Sequence, residues 1–105
     1  MNTQIIAKTL AELGHETRLE IFRTLVKAGP EGLTIGEIGN RLNVPASTLG
    51  FHLKGLISVG LVSQEKQGRS VICRPELDIL SLVIRDLEAE CCTDQSVSHL
   101  KEEDA

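Results

Sequence analysis

Residues 34–59 read TIGEIGNRLNVPASTLGFHLKGLISV, and the way this stretch divides decides the fold. Thr34 followed by Glu37 is a capping-box pair, a hydroxyl and a carboxylate that satisfy backbone N–H groups at a helix start. It predicts a short helix through Leu42. Asn43-Val44-Pro45 then makes a tight turn. The next helix runs from about Ala46 to Val59, with Leu49, Leu53, Leu56 and Ile57 at the i, i+4, i+7, i+8 spacing of a buried stripe. Gly60 supplies its stop. Two short helices joined by a tight turn form a helix-turn-helix.

Upstream, Ile6, Leu10 and Leu13 lie at helical spacing over residues 3–13, and Gly14 breaks the pattern. Glu16 to Ala28 predicts a second helix with Leu19, Phe22 and Val26 on one face, stopped by AGPEG. Downstream the period changes. Two β-prone runs, Leu61 to Glu65 and Ser70 to Arg74, flank a KQGR turn and predict a hairpin that Pro75 ends. The last helix is expected from Glu76 to Cys92. Its Leu77, Leu80, Ile84, Leu87 and Cys91 alternate spacings of three and four, an a/d seam that needs a partner helix. The expected fold is therefore mainly α with a β-hairpin, in the order α-α-α-α-β-β-α. This is a winged helix-turn-helix over residues 1–92, followed by a polar tail over 93–105 expected to fray.

Bulk composition narrows the class. A chain of 105 residues forms one domain with a modest core, and with no Trp, no Tyr and two Phe that core is aliphatic. No apolar run is long enough to span a membrane and no leader pattern opens the chain, so a cytosolic protein is expected. Three cysteines cannot all pair, which argues against a disulfide-stapled secreted domain. No nucleophile–base pairing or phosphate-cradling loop is signalled, so an enzyme is not expected.

The net charge of −4 at first discourages a nucleic-acid partner, but its distribution reverses that reading. Residues 1–40 hold four basic against five acidic side chains, net −1. Residues 41–74 hold Arg41, Lys54, Lys66, Arg69 and Arg74 against Glu65, net +4, while residues 75–105 hold two basic against nine acidic groups, net −7. A basic middle between acidic ends suits a local phosphate-binding face. In a winged helix-turn-helix the second helix enters the major groove and the hairpin tip reaches adjacent phosphates. The expected DNA contacts are Ser47, Thr48, Phe51, His52 and Lys54 on the outward face of that helix, with Lys66, Gln67 and Arg69 on the wing. The bland alternative is a solvated helix face beside a charged turn, or a winged module that binds protein instead of DNA.

The remaining question is RDLEAECCTDQ, residues 85–95. Cys91 extends the apolar seam and free cysteine packs well as a small hydrophobe. Cys92 is turned about 100° around a helix from its neighbour, so one packing site does not explain both. Aiming both sulfurs at one ion requires the last turn to fray, which Thr93-Asp94-Gln95 allows. Adjacent cysteines close only a strained disulfide ring. Cys73, in the second wing strand, reads as a packing residue. His15, His52 and His99 share no ligand spacing with one another or with the cysteines, and His15 near a helix start reads as structural.

At LGHETRLEIFRTL, NVPASTLGFHLKGLISVGLV and QGRSVICR the chain resembles the ArsR/SmtB family of winged-helix metal-, metalloid- and thiol-sensing repressors. STLGFHLKGL matches the family's recognition helix and GLVSQEKQGR its wing; Gly50 departs from the pattern, where relatives commonly carry Ser. The resemblance implies a homodimer, joined through the first and last helices, on double-stranded operator DNA with inverted-repeat half-sites, released when an inducer binds. Of the family's sensor sites, the early cysteine pair is absent from TIGEIGNRL, and the Asp-x-His pair is Asp78-Ile79-Leu80 here. The chain resembles arsenic-responsive members with a Cys-Cys pair ending the last helix, which implies Cys91 and Cys92 as ligands of trivalent arsenic or antimony. A third thiol is missing from TDQSVSHL, so Cys73, the partner subunit or a solution thiol would have to supply it. A redox- or persulfide-responsive repressor of the same fold is the alternative.

Overall fold

A computed structural model describes residues 1–95 and places five helices around a small sheet: α1 (Thr3–Leu13), α2 (Glu16–Ala28), β1 (Leu33–Thr34), α3 (Ile35–Leu42), α4 (Ala46–Ser58), β2 (Val62–Gln67), β3 (Ser70–Pro75) and α5 (Asp78–Ala89). The expected tail lies outside the described residues from residue 96 onward, and His99 with it.

The helix-turn-helix forms for the reasons its sequence announces. The Thr34 hydroxyl accepts from the Glu37 N–H at 3.1 Å, and the Glu37 carboxylate accepts from the Thr34 N–H at 2.9 Å. The Thr34 N–H, and after it the Thr34 hydroxyl, hold the Glu37 carboxyl below its ordinary range. Asn43 closes α3 in the left-handed conformation, φ 55°, which its short polar side chain tolerates. Leu49, Leu53 and Leu56 of α4 are all buried, while the fourth expected stripe residue, Ile57, is more than a third exposed. The core they enter holds Ile21, Phe22 and Leu25 of α2, Ile38 of α3, Leu61, Val62 and Cys73. Each such leucine removed from water contributes about 2 kcal/mol.

The wing is a hairpin as expected, with its first strand starting one residue later and running two further, to Gln67. Gln67 pairs with Ser70 across a two-residue connection, and Gly68 takes φ 62° there, as such a turn demands. A third strand was not expected: β1 pairs antiparallel with β3, Leu33 opposite Cys73 and Thr34 opposite Ile72, giving the order β1-β3-β2.

Three expected faces need correction. In α2 the core side is Ile21, Phe22 and Leu25; Leu19 and Val26 are only partly covered and open onto α5. In α1 the fully buried residue is Thr9, whose hydroxyl donates to the Ile5 carbonyl at 2.8 Å, while Leu10 of the expected stripe is exposed. The last helix is shorter than 76–92. It starts after Leu77 and stops at Ala89, so Cys91 and Cys92 lie in turns beyond it. Its buried residue is Val83, with Ile79 and Leu80 against the core; the seam residues Leu77, Ile84 and Leu87 remain nearly half exposed. Leu13, Leu19, Phe22, Val26, Leu77 and Leu80 line an apolar cleft of about 340 Å³ between α2 and α5. No helix among the described residues is long and apolar enough to cross a membrane.

Candidate nucleic-acid interface and cysteine pair

Helix α4 has two opposite faces because its apolar residues fall on one side of a 3.6-residue period. With Leu49, Leu53 and Leu56 inside, Ser47, Thr48, Gly50, Phe51 and Lys54 stand exposed. Lys66, Gln67 and Arg69 are exposed at the wing tip, with the Gln67 amide donating to Glu65 at 3.2 Å. Arg74 is engaged within the wing itself. Its guanidinium donates to Glu65 at 2.7 Å and to the Pro30 carbonyl at 3.2 Å, so it braces the wing. The structure thus gives hydroxyls, an aromatic ring and Lys54 on one helix, with two cations on the hairpin beyond it.

His52 is a correction. It does not share the outward face: at 7% exposure it is buried between α4 and the start of α2. The reason is angular, since residue 52 lies on the flank of the leucine stripe and α2 packs close enough to cover it. The Arg18 Nε–H donates to His52 Nδ1 at 3.2 Å, and the His15 ring lies 4.7 Å away. Accepting at Nδ1 requires a neutral imidazole with its proton on Nε2. Burial, and then the electrostatic influence of His15 and Arg18, hold His52 below its ordinary value of 6.5. His15 is structural as expected, and its Nδ1 caps α2 by accepting from the Thr17 N–H.

Behind His52 lies a group that the sequence reading missed. Arg18, mostly buried, is ion-paired with Glu12 of α1 while its guanidinium carbon sits 5.6 Å from the centre of the Phe51 ring. Gly55 makes room for this arrangement: a Cβ there would fall 2.5 Å from the Glu12 carboxylate and 3.2 Å from the Arg18 guanidinium. Only the tertiary approach of α1, α2 and α4 brings Glu12, Arg18, His52 and Gly55 together. Their one trace in the chain is a glycine in the middle of an otherwise good helix.

The cysteines divide in two. Cys73 sits in the middle strand with no exposure, its sulfur accepting from the Gln64 amide at 3.5 Å; burial pushes its thiol up from the ordinary value. It belongs to the core, as expected of a packing residue. Cys91 and Cys92 follow the end of α5. Glu90 and Cys91 close the last turn, the Cys91 N–H reaching the Glu88 carbonyl at 3.0 Å. Cys92 then swings to φ 67°, which brings its sulfur to 3.0 Å from that of Cys91. The unwinding that one shared ligand would require is therefore present. No cluster of three His, Cys, Asp or Glu side chains suited to a metal ion occurs among the described residues.

Comparison with known proteins agrees with this architecture. Residues 13–65 match the model of a helix-turn-helix domain family. An uncharacterised HTH-type transcriptional regulator, YceK of Bacillus subtilis (strain 168), is 39% identical over 67 residues, 64% of this chain; the match spans 66% of that relative's length. Among solved structures, an ArsR-like transcriptional regulator from Rhodococcus sp. RHA1 superposes with a TM-score of 0.75 at 28% identity, covering 94% of this chain and 92% of the other. Reduced HlyU from Vibrio cholerae N16961 does so with a TM-score of 0.65 at 25% identity, covering 86% and 93%. The fold and the relatives are those of transcriptional regulators and not of enzymes. With a helix-turn-helix model matching half the chain and ArsR-like structures matching nearly all of it, this chain belongs to the ArsR/SmtB family of winged helix-turn-helix transcriptional regulators.

Proposed function

We propose that this regulator is a homodimeric repressor that leaves operator DNA when a thiophilic inducer, foremost trivalent arsenic, binds Cys91 and Cys92. The observation that carries the reading is the end of α5. Two thiols in sequence on a regular helix diverge, whereas here the left-handed turn at Cys92 brings both sulfurs to one point. Soft thiolates are the donors that such an ion selects, and its binding drives their deprotonation. Cys73, buried in the sheet, is left out of the ligand set. The third ligand then comes from the partner subunit or from a thiol in solution.

The DNA contacts in this reading are Ser47, Thr48, Phe51 and Lys54 from α4, with Lys66, Gln67 and Arg69 from the wing. His52 acts from behind as a support. Two copies related by a two-fold axis read half-sites about one helical turn apart. The pair follows directly on the uncovered seam of α5, so ligand binding there bears on the helix expected to join the subunits.

The test is release from a duplex of the protein's own promoter, measured by anisotropy with and without arsenite. Wild type and Cys73→Ser are expected to lose affinity on the order of tenfold or more, the range of ordinary allosteric coupling. Cys91→Ser and Cys92→Ser are expected to stay bound. Retained release in those two variants would remove the site. A second reading, a redox- or persulfide-responsive repressor, draws on the same sulfur contact. Release by persulfide and not by arsenite would replace the first reading with it.

A further inference from the structure

Phe51 is one of only two aromatic side chains in the chain, and at 66% it is the most exposed large apolar side chain among the described residues. An apolar ring held in water is a cost that binding would recover. Its surroundings indicate by what. On the outward side of α4 its neighbours are Ser47, Gly50 and Lys54, two polar groups and an empty position, where an apolar protein surface would find nothing further to cover. On the inward side the ring is held. The Arg18 guanidinium lies 5.6 Å from its centre, His52 meets it edge-on at 5.6 Å, and Glu12 pairs with Arg18. Three helices therefore support one projecting ring. A Cβ added at Gly50 would meet nothing within 4 Å, so this exposed glycine, next to Phe51 in the chain, leaves open space on the helix surface.

The major groove offers a single apolar feature for such a ring, the C5-methyl group of thymine. We propose that Phe51, propped by Arg18, reads a thymine methyl in each half-site, with Gly50 clearing the approach. The proposal rests on the reading that α4 is the DNA-recognition helix and adds a specificity element to it.

Uracil tests it, because it pairs as thymine does and lacks only the methyl group. A duplex enriched from a random-sequence library on wild-type protein serves as the probe, with each thymine replaced in turn by uracil. Affinities of wild type and Phe51→Ala are read by anisotropy at one fixed salt concentration. Phe51 is exposed enough for the alanine variant to fold, and circular dichroism checks that it does. For wild type, replacing the contacted thymine in one half-site is expected to raise Kd about fourfold, the equivalent of about 0.8 kcal/mol for one buried methyl-sized group. Phe51→Ala is expected to bind the thymine and uracil duplexes equally. Wild-type indifference to uracil at every position would overturn the proposal while leaving DNA binding intact, as would an unchanged uracil penalty in Phe51→Ala. Failure to enrich any duplex would overturn the DNA reading itself.

Discussion

His52 carries the clearest consequence of burial at the scale of one residue. Its neighbours are Arg18 from α2, His15 at the N-cap of α2 and Phe51 from its own helix, and the nearby Glu12 carboxylate is already engaged by Arg18. Protonation of the imidazole would turn an acceptor toward the Arg18 N–H into a second donor. The sign follows from the lowered value. As pH falls through 6.5 the unfolded chain takes up a proton that the folded chain does not, so stability is lost below that point and is full above it. Denaturant titrations at about pH 7.5 and about pH 5.5 are expected to show this loss in wild type and a smaller one in His52→Gln. Glu37 and Glu65, whose carboxyls are held low, lose their contributions only at more acid pH and do not confound the comparison. Composition and period identified Cys73 and His15 correctly, since a cysteine in a strand and a histidine before a helix have few other uses. They misplaced His52, because a residue on the flank of a helical stripe is exposed or buried according to the neighbour that lies against it.

Helix α4 shows where an element was legible and where it compromises. Its leucines, its turn and the Thr34–Glu37 cap were all readable, since each obeys a local rule of spacing or capping. Gly50 breaks the local rule: it is an exposed, mid-helix glycine with free space around it. Gly50→Ala is therefore expected to stabilise the fold by about 1 kcal/mol, read as a higher denaturation midpoint. The same variant is expected to bind DNA more weakly, by anisotropy, because the added methyl stands next to Phe51. A stabilised variant with unchanged affinity would show that the glycine has no part in recognition. Strand β1 was invisible because two residues display no period, and its existence depends on an edge of β3 some forty positions away. The end of α5 was misjudged by one turn, since the apolar seam continues into Cys91 while the backbone does not.

Viewed as a whole molecule, one copy leaves apolar surface that its own core does not reach. Ile5 and Leu10 of α1, with Leu82, Ile84 and Leu87 of α5, are each more than 40% exposed, and the cleft between α2 and α5 is walled by leucine, phenylalanine and valine. In the proposed dimer, a second copy on α1 and α5 would cover this surface and supply the partner that the seam requires. Replacing Ile84 and Leu87 together by Glu is expected to shift sedimentation from dimer to monomer and to weaken DNA binding, since one wing and one recognition helix make few phosphate contacts. A wild-type monomer at the same concentration would refute the dimer. Read alone, the chain settles the helices, the hairpin, the basic middle and the family likeness, because periodicity, caps and charge are local properties. Packing settled which side of each helix is core, that His52 supports where Phe51 projects, and that Arg18 and Glu12 stand behind the ring. It also brought the two sulfurs of CCTDQ into contact, through a backbone turn that side-chain spacing does not encode.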